Sequence, residues 1–423
     1  METAVPKRIA NVILNALKGG VVPRIGLEYI TVGRTQEINA FLHDLAIIAD
    51  GGASFRFVVG KYGSGKSFLL QTIRNHAMAK GFVVVDADLS PERRFAGTKG
   101  QGLATYRELI RNMSVQAQPD GGALPQILER WAAGLADEAQ AQAFARPLEG
   151  MVNGFEFAKA LVAYWRAYDS VDDASEAKSN LLRWFRGEFP TRKEAKEALG
   201  INWIVSDETW YDFLKIFAAF VAQAGYQGIL VMVDELVNIY KIPHSISRQN
   251  NYEKLLTMYN DALQGKAQHI GFLMGCTPQC IEDRYKGLYS YEALRSRLAE
   301  GHFAAEGMFD LSAPIIRLQM LNQEEVYVLV EKLRDMHAEL YQYAPSITHE
   351  DLLHFLTVEY NRVGADTHIT PREIIRDFIE LLGIVHQHPG QKIAEILGNN
   401  SFELAKGGLS EEELHSDFVG FEL

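Results

Sequence analysis

One segment of the sequence has the spacing of a phosphate-binding loop. Residues 60–67 read GKYGSGKS and match the pattern G-x-x-x-x-G-K-[ST] in full. Glycines at this spacing let successive backbone N–H groups turn inward around phosphate oxygens. Lys66 would place a cation on the β- and γ-phosphates, and the Ser67 hydroxyl would ligate Mg²⁺. The alternative is a glycine-rich turn. The positions predicted to bind ATP or ADP are Gly60, Lys61, Tyr62, Gly63, Ser64, Gly65, Lys66, Ser67 and Phe68.

Two adjacent carboxylates, Asp234 and Glu235, follow the apolar run ILVMV. A buried strand has no use for two charges at its end unless something cationic or reactive lies there. Asp234 is predicted to hold Mg²⁺ through water, and Glu235 to act as the general base for the attacking water. The second acid favours ATP hydrolysis over phosphoryl transfer by a small-molecule kinase. The alternative is a solvated strand end.

Single polar and basic residues further along the chain could complete such a site. Thr277 follows the next apolar run and is predicted to orient the attacking water, or else to cap the turn that follows. Arg297, preferred over Arg295, is a candidate arginine finger for the nucleotide of a neighbouring subunit. Arg372, with Arg376 one turn later, is a candidate sensor of the phosphate state. For each arginine the alternative is an ordinary surface ion pair.

A short segment before the first predicted strand could pack against the adenine base of a nucleotide. Residues 30–34 read ITVGR, an apolar run that ends in a tight turn. Gly33 and Arg34 are therefore predicted to lie on the adenine side of the nucleotide. Simple packing of the N-terminal segment is the alternative.

The elements that position these residues follow from the hydrophobic pattern. Apolar, β-branched runs separated by helical patterns predict an α/β fold with a parallel five-stranded sheet flanked by helices. The predicted strands are Phe55–Gly60, Phe82–Ala87, Ile229–Asp234, His269–Gly275 and Ile315–Leu318.

The same pattern predicts the domain organisation. Residues 1–320 form the nucleotide-binding α/β domain, with a helical insertion at about 103–223, and residues 321–388 form an all-α lid. Residues 389–423 form an acidic C-terminal tail. The predicted lid helices are Asn322–Tyr341, His349–Asn361 and Pro371–His386.

Composition excludes several classes of protein. The formal net charge of −12 gives the 423-residue chain no global attraction for nucleic acid or anionic membranes. Two cysteines, Cys276 and Cys280, are too few for a disulfide framework. We find neither a signal-peptide pattern nor an apolar run long enough to span a bilayer, so we expect a cytoplasmic protein without membrane contact.

Contact with DNA would therefore need a local basic patch. Basic residues could contact phosphates and aromatic residues could stack on bases. For the patch at residues 183–196 the alternative is a solvated helix with Trp184 in the core of the insertion. Three places compete: residues 183–196, with Arg183, Trp184, Phe185, Arg186, Arg192, Lys193 and Lys196; the loop with Lys241, His244 and Arg248; and the segment with Arg93, Arg94 and Lys99.

These elements in this order resemble the AAA+ superfamily: Val-Gly-Arg, phosphate loop, acidic pair, sensor threonine, arginine finger and helical lid. The lid and the N-terminal segment look closer to the initiator and loader branch (Orc/Cdc6-like). A narrower resemblance joins the phosphate loop to DLSPERR at 88–94, GQGLATYREL at 100–109, YEALRSRL at 291–298 and TPREIIR at 370–376. Together they resemble the BrxD-type ATP-binding proteins of BREX and related phage-defence systems.

The resemblance implies ATPase activity in a defence context, without a defined substrate. Our preferred interpretation is an oligomeric ATPase that uses Mg²⁺ and couples ATP turnover to DNA binding, loading or remodelling in antiphage defence. The expected partners are further copies of the chain, DNA, and a helicase or other defence-system protein. The alternative is a nucleotide-gated switch or scaffold that recruits a helicase or nuclease without motor activity.

Overall fold

The protein forms two compact units, Met1–Val21 with Asn322–Leu423 and Val22–Leu321. The computed structural model describes residues 5–170, 175–299, 310, 312–361, 369–389 and 393–399.

The larger unit is built on a parallel sheet in the order β2-β3-β4-β1-β5. The α/β prediction and its five parallel strands are confirmed, with strand ends within two residues of those expected. The strands are β1 (Ala53–Val59), β2 (Val83–Asp88), β3 (Ile229–Asp234), β4 (Ile270–Cys276) and β5 (Ile315–Arg317).

Helices cover both faces of this sheet. Because side chains alternate along a strand, Phe57 and Val59 point into one hydrophobic layer and Val58 into the other. Phe41 and Ile73, from two helices, pack in the second layer. In chain order the helices are α1 (Lys7–Lys18), α2 (Leu27–Ile30), α3 (Thr35–Ala49), α4 (Lys66–Ala79), α5 (Gln101–Arg111), α6 (Leu124–Ala133), α7 (Glu138–Ala145), α8 (Gly154–Asp169), α9 (Ser175–Phe185), α10 (Arg192–Leu199), α11 (Trp210–Gln223), α12 (Val237–Tyr240), α13 (Ser245–Leu263), α14 (Pro278–Glu282), α15 (Glu292–Leu298), α16 (Gln323–Tyr341), α17 (His349–Tyr360), α18 (Pro371–Gln387) and α19 (Ile393–Asn399).

Helices α5 to α11 fill the long connection between β2 and β3, where the sequence predicts a helical insertion. Trp184 is 1% exposed, and its indole N–H donates to the carbonyl of Trp203 at 2.7 Å. Phe185 is also buried. These two rings cannot stack on bases, which supports the alternative of a solvated helix whose aromatic residues lie in the core.

The smaller unit is helical in its described part. Capping boxes at Asn322, Thr348 and Thr370 begin α16, α17 and α18, because each side chain accepts a backbone N–H that the helix leaves unpaired. The N-terminal helix α1 packs on α16 and α18 and groups with this unit, whereas the sequence assigned residues 1–320 to the nucleotide-binding domain. Of the predicted acidic tail, only Pro389 and α19 fall within the described residues.

A cluster of two histidines and two tyrosines lies inside this unit: His337, Tyr341, Tyr343 and His386. The Nδ1 atom of His337 lies 2.9 Å from the hydroxyl of Tyr343. Burial lowers the pKa of His337 to about 4, and the nearby charges of His386 and Lys18 act in the same direction. His337 is therefore neutral at ordinary pH.

In the described part of the chain we find no helix that is both long and apolar enough to cross a bilayer.

Candidate nucleotide site

The predicted phosphate loop connects β1 to α4, which is the required context of a strand before and a helix after. Gly63 and Gly65 have φ angles of 77° and 86°, in the left-handed region that favours glycine. A Cβ atom at Gly60 would lie 2.3 Å from the hydroxyl oxygen of Ser64, so the loop closes too tightly there for a side chain. Because α4 begins at Lys66, its unpaired N–H groups lie at the loop, which suits an anion.

Lys66 points back into the loop. Its Nζ atom donates to the carbonyls of Gly60 at 2.7 Å and Lys61 at 3.1 Å. Burial lowers the pKa of Lys66, while the charges of Asp234 and Glu235 act to raise it. The structure thus brings the predicted phosphate-binding cation next to the predicted acidic pair.

The two predicted magnesium ligands also meet. The hydroxyl of Ser67 lies 3.4 Å from the Oδ2 atom of Asp234, and the Oδ1 atom of Asp234 accepts the N–H of Glu235 at 2.8 Å. On the adjacent strand β4, a Cβ atom at Gly275 would stand 2.2 Å from that Oδ1 atom. The absence of a side chain at position 275 makes room for the carboxylate of Asp234.

This donor set fits Mg²⁺. Among the described residues, no group of three or more His, Cys, Asp and Glu side chains is arranged to hold a metal by itself. Mg²⁺ in nucleotide sites usually keeps several waters and takes one or two protein oxygens plus the phosphates. Ser67 and Asp234 would supply those protein oxygens.

Glu235 has a backbone conformation that is uncommon for a residue with a side chain, with φ of 59°. Burial raises the pKa of Glu235, and the neighbouring carboxylates of Asp234 and Asp88 raise it further, against the opposing charges of Lys66 and Lys241. A raised pKa makes a carboxylate a stronger base, which suits the predicted role.

Asp88 is a third carboxylate at this edge of the sheet, and the sequence analysis did not predict it as a residue of the site. It ends β2 directly opposite Asp234 in the β2–β3 register. Burial raises the pKa of Asp88, and the charge of Asp234 adds to this effect. The available signal was its place directly after an apolar strand, the same signal that identified the acidic pair.

Thr277 follows β4, the strand between the phosphate-loop strand and the acidic-pair strand. The N–H of Gly60 bonds the carbonyl of Cys276 at 3.1 Å, so the end of β4 adjoins the start of the loop. The hydroxyl of Thr277 accepts the N–H of Cys280 at 3.4 Å and caps α14. The capping alternative therefore describes this hydroxyl, and orientation of water by Thr277 stays a prediction.

Gly33 and Arg34 both lie in the left-handed region, with φ of 61° and 62°. The Nη2 atom of Arg34 donates to the carbonyl of Ser64 at 3.0 Å and also to the carbonyl of Gln319, while Nη1 pairs with Glu37 at 3.2 Å. Arg34 thus ties the phosphate loop to the segment after β5. Its packing against adenine stays a prediction.

The remaining predicted arginines are Arg295 and Arg297 in the larger unit and Arg372 in the smaller unit. Arg297 donates to Asn260 at 3.0 Å and to a backbone carbonyl of its own helix, and Arg295 pairs with its neighbour Glu292 at 3.9 Å. Both are exposed. Arg372 is in the smaller unit, where its Nε atom would lie 3.1 Å from a Cβ atom at Gly20. Their roles toward nucleotide stay predictions.

Several of the basic residues considered for DNA have structural partners, among them Arg93, Arg183, Arg192, Lys193 and Arg248. Arg248 is 8% exposed and donates to the carbonyl of Ile242 at 2.6 Å, so the structure gives its guanidinium an internal partner, and contact with DNA stays a prediction. Arg93 is half-buried and donates to the carbonyl of Asp88 at 2.9 Å. Lys241 and His244, in contrast, are exposed.

Comparison with known proteins and protein families gives a match to a family but none to a curated protein. No curated protein matches the chain at a significant level. Residues 5–401 match the family described as BREX system ATP-binding protein BrxC/D. That match spans nearly the whole chain and includes the phosphate loop, the acidic pair and Thr277, as the resemblance of the short motifs implies. The chain belongs to the BrxC/D family of BREX system ATP-binding proteins.

Proposed function

We propose that the chain is an AAA+ ATPase that binds MgATP at the phosphate loop and hydrolyses it with Glu235 as the general base. The observation that carries the proposal is the meeting of four residues from two segments that are distant in sequence. The Ser67 hydroxyl lies 3.4 Å from Asp234, and Glu235 follows Asp234 in the chain. The negative charges of both acids act to raise the pKa of Lys66. The family description supports ATP binding.

The chemistry follows from the positions of the side chains. Lys66 would exchange the carbonyls of Gly60 and Lys61 for the β- and γ-phosphates of ATP. Mg²⁺, held by Ser67 and by Asp234 through water, would neutralise charge on the phosphates. Glu235 would take a proton from the attacking water.

We further propose an oligomeric, Orc/Cdc6-like ATPase that couples turnover to DNA binding, loading or remodelling in phage defence. In this arrangement the exposed Arg297 would reach the nucleotide of the neighbouring subunit, and its charge would stabilise the transferred phosphoryl group. Arg372 would report the phosphate state to the C-terminal helices. The family description supports the defence context.

A nucleotide-gated switch or scaffold is the second candidate. It would bind ATP, assemble and recruit a helicase or nuclease without motor activity. The net charge of −12 favours it, as does the burial of Arg248, Trp184 and Phe185, three of the residues considered for DNA contact.

The first test is a matched pair of carboxylate substitutions. Glu235→Gln should keep ATP binding and abolish turnover, because the amide cannot accept the proton. Glu253→Gln, at an exposed carboxylate on α13, should leave both unchanged. Lys66→Ala should lose ATP affinity and show that the activity belongs to this site. Turnover by the Glu235→Gln protein would remove Glu235 from the role of base.

Steady-state hydrolysis then separates the two candidates. Turnover per subunit is measured over a series of protein concentrations, with and without single- and double-stranded DNA. Turnover that rises with both supports a DNA-activated assembly that uses arginine in trans. Turnover that stays low and is unaffected by DNA supports the switch.

A further inference from the structure

Tyr285 is the most exposed of the large apolar side chains in the described residues, at 89%. It lies in the loop after α14, between the exposed side chains of Arg284 and Lys286. We call residues 284–286 the Tyr285 tip. A large aromatic ring that is almost wholly exposed to water indicates a binding surface, because burial of the ring against a partner would be favourable.

The backbone of the tip is fixed from below. The Oδ1 atom of Asp283 accepts the N–H groups of Tyr285 at 2.6 Å and Lys286 at 3.0 Å. Its Oδ2 atom accepts the hydroxyl of Tyr240 at 2.9 Å. The hydroxyl of Tyr252 donates to the carbonyl of Lys286 at 2.5 Å. Because the loop is already ordered, little conformational entropy would be lost when the tip meets a ligand.

The local charge at the tip is opposite to that of the chain. Burial acts to raise the pKa of Asp283, but the hydrogen bonds from three donors hold it below the usual range, so this carboxylate stays ionised and is outnumbered by the two cations of the tip. The carboxylate of Glu282 pairs with Arg317. Arg284 and Lys286 are left facing solvent, on a chain with a net charge of −12. The charge presented to a partner is therefore positive and suits phosphates.

The tip is also joined to the nucleotide site on two sides. It follows α14, which begins after Thr277 at the end of β4. Its anchor Asp283 bonds Tyr240, which ends α12, the short helix just after Glu235. Lys241 follows Tyr240 in the chain and is exposed.

We propose that the Tyr285 tip binds single-stranded nucleic acid, with the Tyr285 ring stacked on a base and with Arg284 and Lys286 on the flanking phosphates. An aromatic ring between two cations matches the alternation of base and phosphate along a single strand, and stacking accepts any base. This inference deepens the proposed coupling to DNA. Its functional meaning rests on that proposal, but the binding itself needs no ATP turnover.

The test is fluorescence anisotropy with a labelled oligothymidine strand and nucleotide-free full-length protein over a range of KCl concentrations. Tyr285→Ala should weaken affinity by about 5- to 150-fold, the range for loss of one stacked base, with an unchanged salt slope. Tyr285→Phe should retain affinity. Arg284→Ala and Lys286→Ala should each reduce the slope of log affinity against log salt by about 0.7, the value for one phosphate contact on a single strand.

Two matched controls come from the same chain. Phe155→Ala removes an aromatic ring that is 62% exposed, and Lys266→Ala removes an exposed lysine. Both should bind the oligonucleotide like the wild type. Mass photometry of each variant reports its assembly state.

Three outcomes would overturn the inference: no binding of the oligonucleotide by the wild type, equal affinity of the Tyr285→Ala and Phe155→Ala proteins, or a loss of assembly in the Tyr285→Ala protein that accounts for its weaker binding. The last result would identify the tip as a contact between copies of the chain. Failure of the proposed hydrolysis would leave this assay unaffected, because no nucleotide is present.

Discussion

Replacement of Gly275 by alanine is the sharpest perturbation of the candidate magnesium site. The new Cβ atom would lie 2.2 Å from the Oδ1 atom and 2.8 Å from the Cγ atom of Asp234. Gly275 is not among the glycines with positive φ, so the effect is steric and requires no change of backbone conformation. To regain ordinary van der Waals distance, the carboxylate has to move by at least about 1 Å.

The displaced carboxylate belongs to Asp234, the residue predicted to hold the metal. Its Oδ1 atom also accepts the N–H of Glu235 at 2.8 Å, so the displacement disturbs the position of the predicted general base as well. A misplacement of about 1 Å in a catalytic arrangement can reduce the rate by about 100-fold. We therefore expect Gly275→Ala to reduce kcat for ATP hydrolysis by about that factor.

The assay combines phosphate release with calorimetric binding of ATP, in EDTA and in Mg²⁺. Binding in EDTA should be retained, because the substitution does not touch the phosphate loop, and the gain in affinity on adding Mg²⁺ should be lost. Gly383→Ala is the matched control, since a Cβ atom there meets nothing within 4 Å. Asp234→Asn, which adds no heavy atom, should show the same loss of Mg²⁺ dependence. Wild-type turnover and Mg²⁺ dependence in the Gly275→Ala protein would refute the assignment of Asp234.

Two further predictions concern the arginine at the loop and the histidine–tyrosine cluster. Arg34→Lys keeps the charge but has one nitrogen in place of the two that contact Glu37 and the carbonyls of Ser64 and Gln319, so ATP affinity and the free energy of unfolding should fall, the latter by about 1.5–3 kcal/mol for the loss of one charge-assisted bond; unchanged melting and ATP titration curves would contradict this. The free energy of unfolding should decrease by about 2 kcal/mol as the pH falls from 6.5 toward 4. The reason is that His337 binds a proton at its ordinary pKa in the unfolded chain, whereas in the folded protein it does so only near pH 4. Solvent screening keeps this decrease below the value that the full pKa shift would give. Urea denaturation at several pH values measures this decrease, and His337→Gln should flatten it; an equal pH slope in both proteins would rule out His337 as its source.

The sheet was predictable from the sequence because its strands are buried on both faces. Such strands are continuous apolar runs, and the predicted bounds of Ile229–Asp234 coincide with those of β3. The acidic pair and the phosphate loop were predictable for a related reason, since a charge or a glycine cluster at the end of an apolar run is conspicuous.

Other features depend on packing between distant segments, which leaves no periodic signal. Arg248 looks solvent-facing in a polar stretch, yet its guanidinium turns back to the carbonyl of Ile242. The hydrogen bond of Arg34 to the carbonyl of Gln319 spans a sequence separation of 285 residues. The grouping of α1 with the C-terminal helices is of the same kind, because an amphipathic helix does not specify which surface it will cover.

The order of the strands also determines when the nucleotide site can form during synthesis. The strand that leads into the phosphate loop, β1, pairs only with β4 and β5 among the described strands. The ribosome therefore completes β1, the loop and the whole helical insertion before either neighbour of β1 exists. Until residues 270–276 emerge, an apolar strand has both edges unpaired, which is the condition under which nascent chains aggregate or engage chaperones.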